Sequence, residues 1–243
     1  LPSETVNLKY KKRRKQLDEA EVDEVLTASS DRMEPRCEYF GYCGGCRLQH
    51  MSESLQVNFK QNALIELLGK EGVVFDHVMP PLTSNSYGYR SKARLSVRHV
   101  IKKEKVCVGF RERNPRYVAD MDHCHTITPV ISEQLTSLSQ LISSMDAINN
   151  IPQIEVACGD KQQALIVRHL EPLTAGDVNK LREYAQKTKI KIFLQPKGLD
   201  TIHLLHSEDD SPLLQYELPD QGVELLFMPQ MFTQVNHDIN RKM

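Results

Sequence analysis

Apolar and polar positions alternate with period two along several stretches of this chain and with helical period along three others. Thr5, Val6 and Leu8 mark a strand over 4–10, and Val22, Val25 and Leu26 a second over 20–26. Ser52 is placed to cap a helix running to about Leu68, with Leu55, Phe59, Ala63 and Leu67 four apart on one face and Gly69 and Gly72 to stop it. Over 92–100, Ala93, Leu95 and Val97 alternate with Lys92, Arg94, Ser96 and Arg98, and a turn at 102–105 leads back through Val106 to Phe110. Thr128 and Pro129 start a helix that the pattern carries to about Met145. Residues 154–158 and 164–169 read as a hairpin, Thr174 caps a helix to about Lys187, and 189–195 pairs with 201–206. A further hairpin joins 214–218 to 223–228, and a helix is beginning at the end of the chain.

Pairs of strands separated by single helices, without strand–helix–strand alternation, predict a mainly antiparallel α+β fold. Two similar hairpin-plus-helix units, 92–145 and 154–187, hint at an internal repeat. The length of 243 residues allows one large or two modest domains, and 40% hydrophobic content is enough for a core. No run is long and apolar enough to cross a membrane, and no secretory leader is evident, so a cytoplasmic monomer is expected. The chain starts without Met and reads as a piece of something longer.

The net charge of −1 conceals segregation. Residues Lys9-Tyr-Lys-Lys-Arg-Arg-Lys15 carry six basic side chains in seven positions, and five carboxylates follow between Asp18 and Glu24. The run, including Lys11, Lys12, Arg13 and Arg14, caps the predicted hairpin either as a solvated turn or as a set of phosphate contacts. Between Tyr87 and Val118 ten Lys or Arg stand against Glu104 and Glu112, a net of +8 interleaved with Tyr87, Tyr89, Phe110 and Tyr117. That is the composition of a nucleic-acid face, with Arg90, Lys92 and Arg94 as phosphate contacts and Tyr89 as a base-stacking residue.

The chemistry concentrates in Cys37-Glu-Tyr-Phe-Gly-Tyr-Cys43-Gly-Gly-Cys46. A Cys-x-x-Cys pair lets two sulfurs reach one metal centre, and the glycines open the backbone for a tight loop. Both a tetrahedral zinc site and a cubane iron–sulfur cluster want four ligands, so one must come from a distant segment. Cys124 lies in a loop just ahead of a helix and is the choice; Cys107 and Cys158 fall inside strands, where Cys is usually a small core hydrophobe. The wide first gap and the lack of a second Cys-x-x-Cys lean toward a cluster, with His50, His123 or His125 as alternatives for zinc. No Gly-rich phosphate loop or nucleotide fingerprint is present.

The cysteine loop with Gln49-His50, the segment Tyr89-Arg-Ser-Lys-Ala-Arg94, Gly109-Phe110, Asp122-His-Cys124 and Phe232-x-Gln234-Val-Asn236 together resemble the RNA uracil-5-methyltransferases that carry an iron–sulfur cluster, specifically those acting on 23S rRNA. The resemblance runs through the whole chain. It implies that residues 1–30 are the second half of an OB-like, RNA-binding TRAM barrel, a partial β-barrel here. Residues 31–228 would be the cluster-bearing, RNA-binding central domain, and 229–243 the entry to a methyltransferase domain. It further implies that Cys37, Cys43, Cys46 and Cys124 hold a [4Fe-4S] cluster, that Gln234 contacts S-adenosylmethionine, and that the partner is 23S rRNA. In that family a thiolate adds to C6 of uracil, making C5 nucleophilic toward the methyl group, and a base then removes the C5 proton. The resemblance places both groups beyond Met243, so residues 1–243 alone are expected to be inactive. The alternative is a zinc-containing RNA-binding module without catalysis.

Overall fold

A computed structural model describes residues 1–243. The chain divides into two compact units, one formed by residues 1–38 and 47–81, the other by 39–46 and 82–243. In the first unit, β1 (Thr5–Lys12) and β2 (Glu19–Thr27) make a two-stranded antiparallel ribbon with register shifts at three places. The ribbon is not closed into a barrel. The basic run is not confined to a turn: Lys9, Lys11 and Lys12 lie in β1, facing the acidic strand.

Helix α1 (Glu53–Lys70) starts as expected, with the Ser52 hydroxyl accepting from the Leu55 amide. Gly69 is inside the helix, and the chain turns instead at Gly72, whose φ of +72° suits glycine. The expected apolar face does not become a core: no residue of α1 is buried, and Phe59 and Leu67 are half exposed. A ribbon and one helix supply too few layers to cover it within this unit.

The second unit is built on six strands, β3 (Lys92–Val100), β4 (Lys105–Gly109), β5 (Gln153–Cys158), β6 (Gln163–Arg168), β7 (Lys191–Gln195) and β8 (His203–His206). Their order is β4-β3-β5-β6-β7-β8, and only β6 and β7 run parallel. That pair is joined by α4 (Ala175–Thr188), so one strand–helix–strand unit exists where none was expected. The segment expected as a single helix is two, α2 (Pro129–Ser132) and α3 (Leu135–Ser143). The Gln134 amide bonds to the Ile131 carbonyl, a tightened turn, and the Ser137 hydroxyl donates to both the Gln134 carbonyl and its side-chain oxygen. Thr128 does not cap with its side chain; its hydroxyl lies 3.3 Å from the Cys158 sulfur. Thr174 does cap, accepting from the Asp177 amide, and the buried Asp177 carboxylate accepts from the amides of Asp146 and Ala147 at 2.9 and 3.0 Å, tying the approach from α3 to the start of α4.

Strand register puts Leu95, Ile154, Val167 and Leu194 in one row across the sheet, all buried, with α3 packed on β4 and α4 on β7 and β8. The opposite face is closed at its centre by a second hairpin, β9 (Leu214–Leu218) and β10 (Val223–Phe227), whose Leu214 and Phe227 join Ala157, Ala164, Ile166 and Phe193 in a core cluster. Gly159 is required there, since a side chain would meet the Gln215 carbonyl at 2.3 Å. The unit ends in a short helix, α5 (His237–Lys242), capped by the Asn236 side chain. No helix is long and apolar enough to cross a membrane.

Candidate metal centre and cationic sheet face

Three of the four expected sulfur ligands, Cys43, Cys46 and Cys124, belong to the second unit. Cys43 is buried, and its amide bonds to the Tyr39 carbonyl at 2.9 Å. It pairs by an isolated antiparallel bridge with Glu112, and the Gly44 amide donates to the Arg111 carbonyl at 2.8 Å. Gly44 is demanded by close approach, and Gly45 sits tightly against a ring. A Cβ on Gly44 would lie 2.8 Å from that carbonyl oxygen, and one on Gly45 would lie 3.0 Å from the Phe110 ring. The Gly45 amide points at the Cys43 sulfur, 3.4 Å away, a contact that favours a thiolate. Against this, burial pushes the Cys43 thiol up, and negative charge on Cys124 and Cys46 would push it further. Cys43 would thus be opposed by both other thiols once they ionise, an opposition that a bound cation would relieve.

Cys124 arrives from the loop ahead of α2, as expected. Its amide donates to the Ser132 hydroxyl at 2.8 Å, and its sulfur lies 3.3 Å from the Thr126 hydroxyl. The loop is tied back to Tyr39, whose hydroxyl donates to the Asp122 carboxylate and accepts from the Asp122 amide at 3.3 Å. The Tyr39 hydroxyl and His123, 2.7 Å away, hold the Asp122 carboxyl below the usual carboxylate range. Sequence reasoning singled out Asp122-His-Cys124 as a motif but missed its tie to Tyr39. Cys37 belongs to the first unit, where its amide donates to the Gln49 side chain at 3.2 Å. Cys107 and Cys158 are buried in β4 and at the end of β5, as expected of core residues.

Soft sulfur donors, a Gly44 that close approach requires and an amide aimed at a sulfur suit a structural zinc or iron–sulfur centre. His123 and His125, whose ring nitrogens stand 3.3 Å apart, lie beside Cys124 in the chain.

The cations of the expected RNA face sit on β3 and its surroundings, many of them with protein partners. Arg94 makes a two-pronged contact with Glu155, with Nε and Nη2 at 3.1 and 3.0 Å from one oxygen. Lys92 is half-buried, which lowers its ammonium pKa, and it donates to the Met231 carbonyl. Arg90 is held by backbone bonds to Thr126 and Thr128, with its guanidinium 5.9 Å from the Phe110 ring centre. Phe110 therefore lies between Arg90 and the Gly44-Gly45 turn, a junction the separate motifs did not announce. Arg98 and Arg111 reach carbonyls of the 115–116 turn, and Lys103 and Lys105 pair with Asp120. Tyr89 is half-buried. On the first unit Lys11 pairs with Glu21 and Arg14 with Glu19, Arg13 stacks over Tyr10 at 4.4 Å, and Lys12 is exposed. Gln234 has an exposed side chain on a well-held backbone.

No protein-family model matches the chain. Curated proteins do, along its whole length. A protein from Francisella tularensis subsp. novicida named 23S rRNA (uracil(1939)-C(5))-methyltransferase RlmD is 46% identical over 248 aligned residues. Proteins of the same name from Legionella pneumophila and Hahella chejuensis are 44% and 43% identical. Each alignment takes in 100% of this chain. The chain is a homologue of these RNA uracil-C5-methyltransferases. It spans about half their length, 55%. A solved structure, Pyrococcus abyssi tRNA (uracil-54, C5)-methyltransferase in complex with S-adenosyl-L-homocysteine, shares the fold with a TM-score of 0.66 over 97% of this chain and 55% of that one, at 17% identity.

Proposed function

We propose that this chain is the RNA-binding and cluster-bearing part of a cytoplasmic, monomeric S-adenosylmethionine-dependent methyltransferase acting on uracil C5 of 23S rRNA. The observation that carries the reading is 46% identity along the whole chain to a protein named for methylation of uracil 1939. In this reading residues 1–30 are part of a TRAM-like barrel, 31–228 the central domain, and 229–243 lead into the catalytic domain. Cys43, Cys46 and Cys124 hold a [4Fe-4S] cluster together with Cys37, the cysteine that shares their loop sequence. When bound, the cluster supplies a structural tie. The chain's own residues do the rest: Tyr39 and Asp122 seat the Cys124 loop, Phe110 braces the glycine turn, and β3 offers its charged face to RNA. Gln234 presents an amide to the methyl donor.

The test is methyl incorporation into unmodified 23S rRNA by the full-length protein that carries residues 1–243, with iron and acid-labile sulfide measured on an anaerobic preparation. Incorporation at one uridine and about four irons per chain are expected for a cubane cluster. Stoichiometric zinc without sulfide and no methyl transfer would establish the RNA-binding zinc module instead.

A further inference from the structure

Residues 231–242 are fastened to the central sheet at two places, one at Gln234–Val235 and one just beyond it in α5. Ser91, at the start of β3 and 2% exposed, donates twice to the Val235 carbonyl, from its amide at 2.8 Å and its hydroxyl at 3.0 Å. The same hydroxyl lies 3.4 Å from the Gln234 carbonyl. One residue either side, Arg90 bridges to Asn236 and Lys92 donates to the Met231 carbonyl. The Asn236 amide group donates to the Ser84 hydroxyl at 2.7 Å.

The second fastening is Asp160, in the turn between β5 and β6. Its carboxylate receives Arg241 of α5 at 2.7 Å, His237 at 3.4 Å and the Glu217 amide at 2.8 Å. Arg241 also donates to the Glu217 carbonyl at 3.1 Å, and His237 stacks on Tyr216 with ring centres 5.7 Å apart. Both fastenings lie at or beyond Gln234; ahead of them, between the Lys92 contact at Met231 and the Ser91 contact at Val235, Thr233 is buried whereas Phe232, 84% exposed, and Gln234 are open to solvent. A backbone so constrained fixes the point from which the exposed Gln234 amide reaches, one part of what an effective ligand contact needs.

We infer that Ser91 and Asp160 are positioning residues that fix Gln234 for contact with the methyl donor. The inference rests on the reading of Gln234 as a cofactor contact. Neither residue touches the donor; each acts through the segment that carries Gln234.

Affinity for S-adenosylhomocysteine, measured by calorimetry in the full-length protein, tests this in Ser91→Ala, Asp160→Asn, Gln234→Ala and the two double variants with Gln234→Ala. Ser91→Ala leaves the Ser91 amide on the Val235 carbonyl, and Asp160→Asn keeps an acceptor for the Glu217 amide, so both should fold, as thermal melts will check. Each should weaken binding about threefold to tenfold, the effect of one lost hydrogen bond or ion pair. In the Gln234→Ala background neither should weaken it further, because a positioning residue has nothing left to position. A merely structural role would instead add to the loss from Gln234→Ala, and that result overturns the inference. Wild-type affinity in both Ser91→Ala and Asp160→Asn, with Gln234→Ala weakened, overturns it while the reading of Gln234 stands. Wild-type affinity in Gln234→Ala overturns the reading itself.

Discussion

At the scale of single residues, what a side chain touches decides which chemistry is open to it, and the six cysteines divide on that ground. Cys124 is buried and, like Cys46, would act by its charge on Cys43, whereas Cys158 is buried beside Thr128, its thiol pushed up to about 11 by burial. Cys124→Ser should lose iron and lower the melting temperature, because metal–thiolate bonds form only in the folded chain and add to folding. Cys158→Ser should keep its iron. Iron per chain in the two anaerobically purified variants decides, and full iron in Cys124→Ser would mean another residue closes the site. A second prediction concerns Lys191, whose buried ammonium donates to Asp209 at 2.9 Å and to the Ser211 and Leu213 carbonyls. The Lys191 contact lowers the Asp209 carboxyl. A carboxylate depressed in the folded state stabilises fully above its unfolded value of about 3.9 and loses that contribution as pH falls through the folded one. Asp209→Asn should therefore cost about 1–2 kcal/mol at neutral pH, reduced by the half exposure of Asp209, and less at an acid pH below about 3.9. Thermal melts at the two pH values check it; an equal loss at both would remove the charge from the explanation.

At the scale of elements, the period of the hydrophobic pattern was a sound guide wherever one face is buried. The alternation over 92–100 matches β3 residue for residue, and the Ser52 and Thr174 caps are made by the side chains expected. It misled where burial depends on what lies beyond the element. The apolar spacing in α1 marks a face that its own unit does not cover, and the single helix expected over 128–145 breaks at Gln134 through local side-chain bonds that carry no periodic signal. The cationic count over 87–118 was legible, but its use was not: Arg94, Lys103 and Lys105 are already paired with carboxylates. Since Glu155 shares the charge of Arg94, Arg94→Ala should lower the salt slope of RNA binding by less than about one, the value for a full phosphate contact. Tyr89→Ala should cost affinity with little change in slope, as loss of a stacked base does. Titrations at several salt concentrations separate the two, and unchanged affinity in both variants would leave β3 a merely solvated face.

At the scale of the whole molecule, Cys43-Gly-Gly-Cys46, Asp122-His-Cys124, Gly109-Phe110 and the stretch around Gln234 belong to one unit, yet none of them is expected to supply a nucleophile for uracil. A thiolate must form at working pH to add to C6. Burial raises the thiols of Cys107 and Cys158 and encloses both in strands, out of reach of a base. Cys43 and Cys124 are buried as well, and with Cys37 and Cys46 they are committed to the proposed centre. Residues 1–243 alone should therefore bind rRNA with the salt dependence of a charged surface and transfer no methyl group to it. The proposed Gln234 contact, without the remainder of a pocket, should leave donor binding weak in that fragment. Incubation of the isolated residues 1–243 with radiolabelled S-adenosylmethionine and unmodified 23S rRNA is the measurement, with a no-protein control beside it. Label retained on the RNA above that control would show that a thiol within these residues does become reactive, and the assignment of all six cysteines to structure would fall with it.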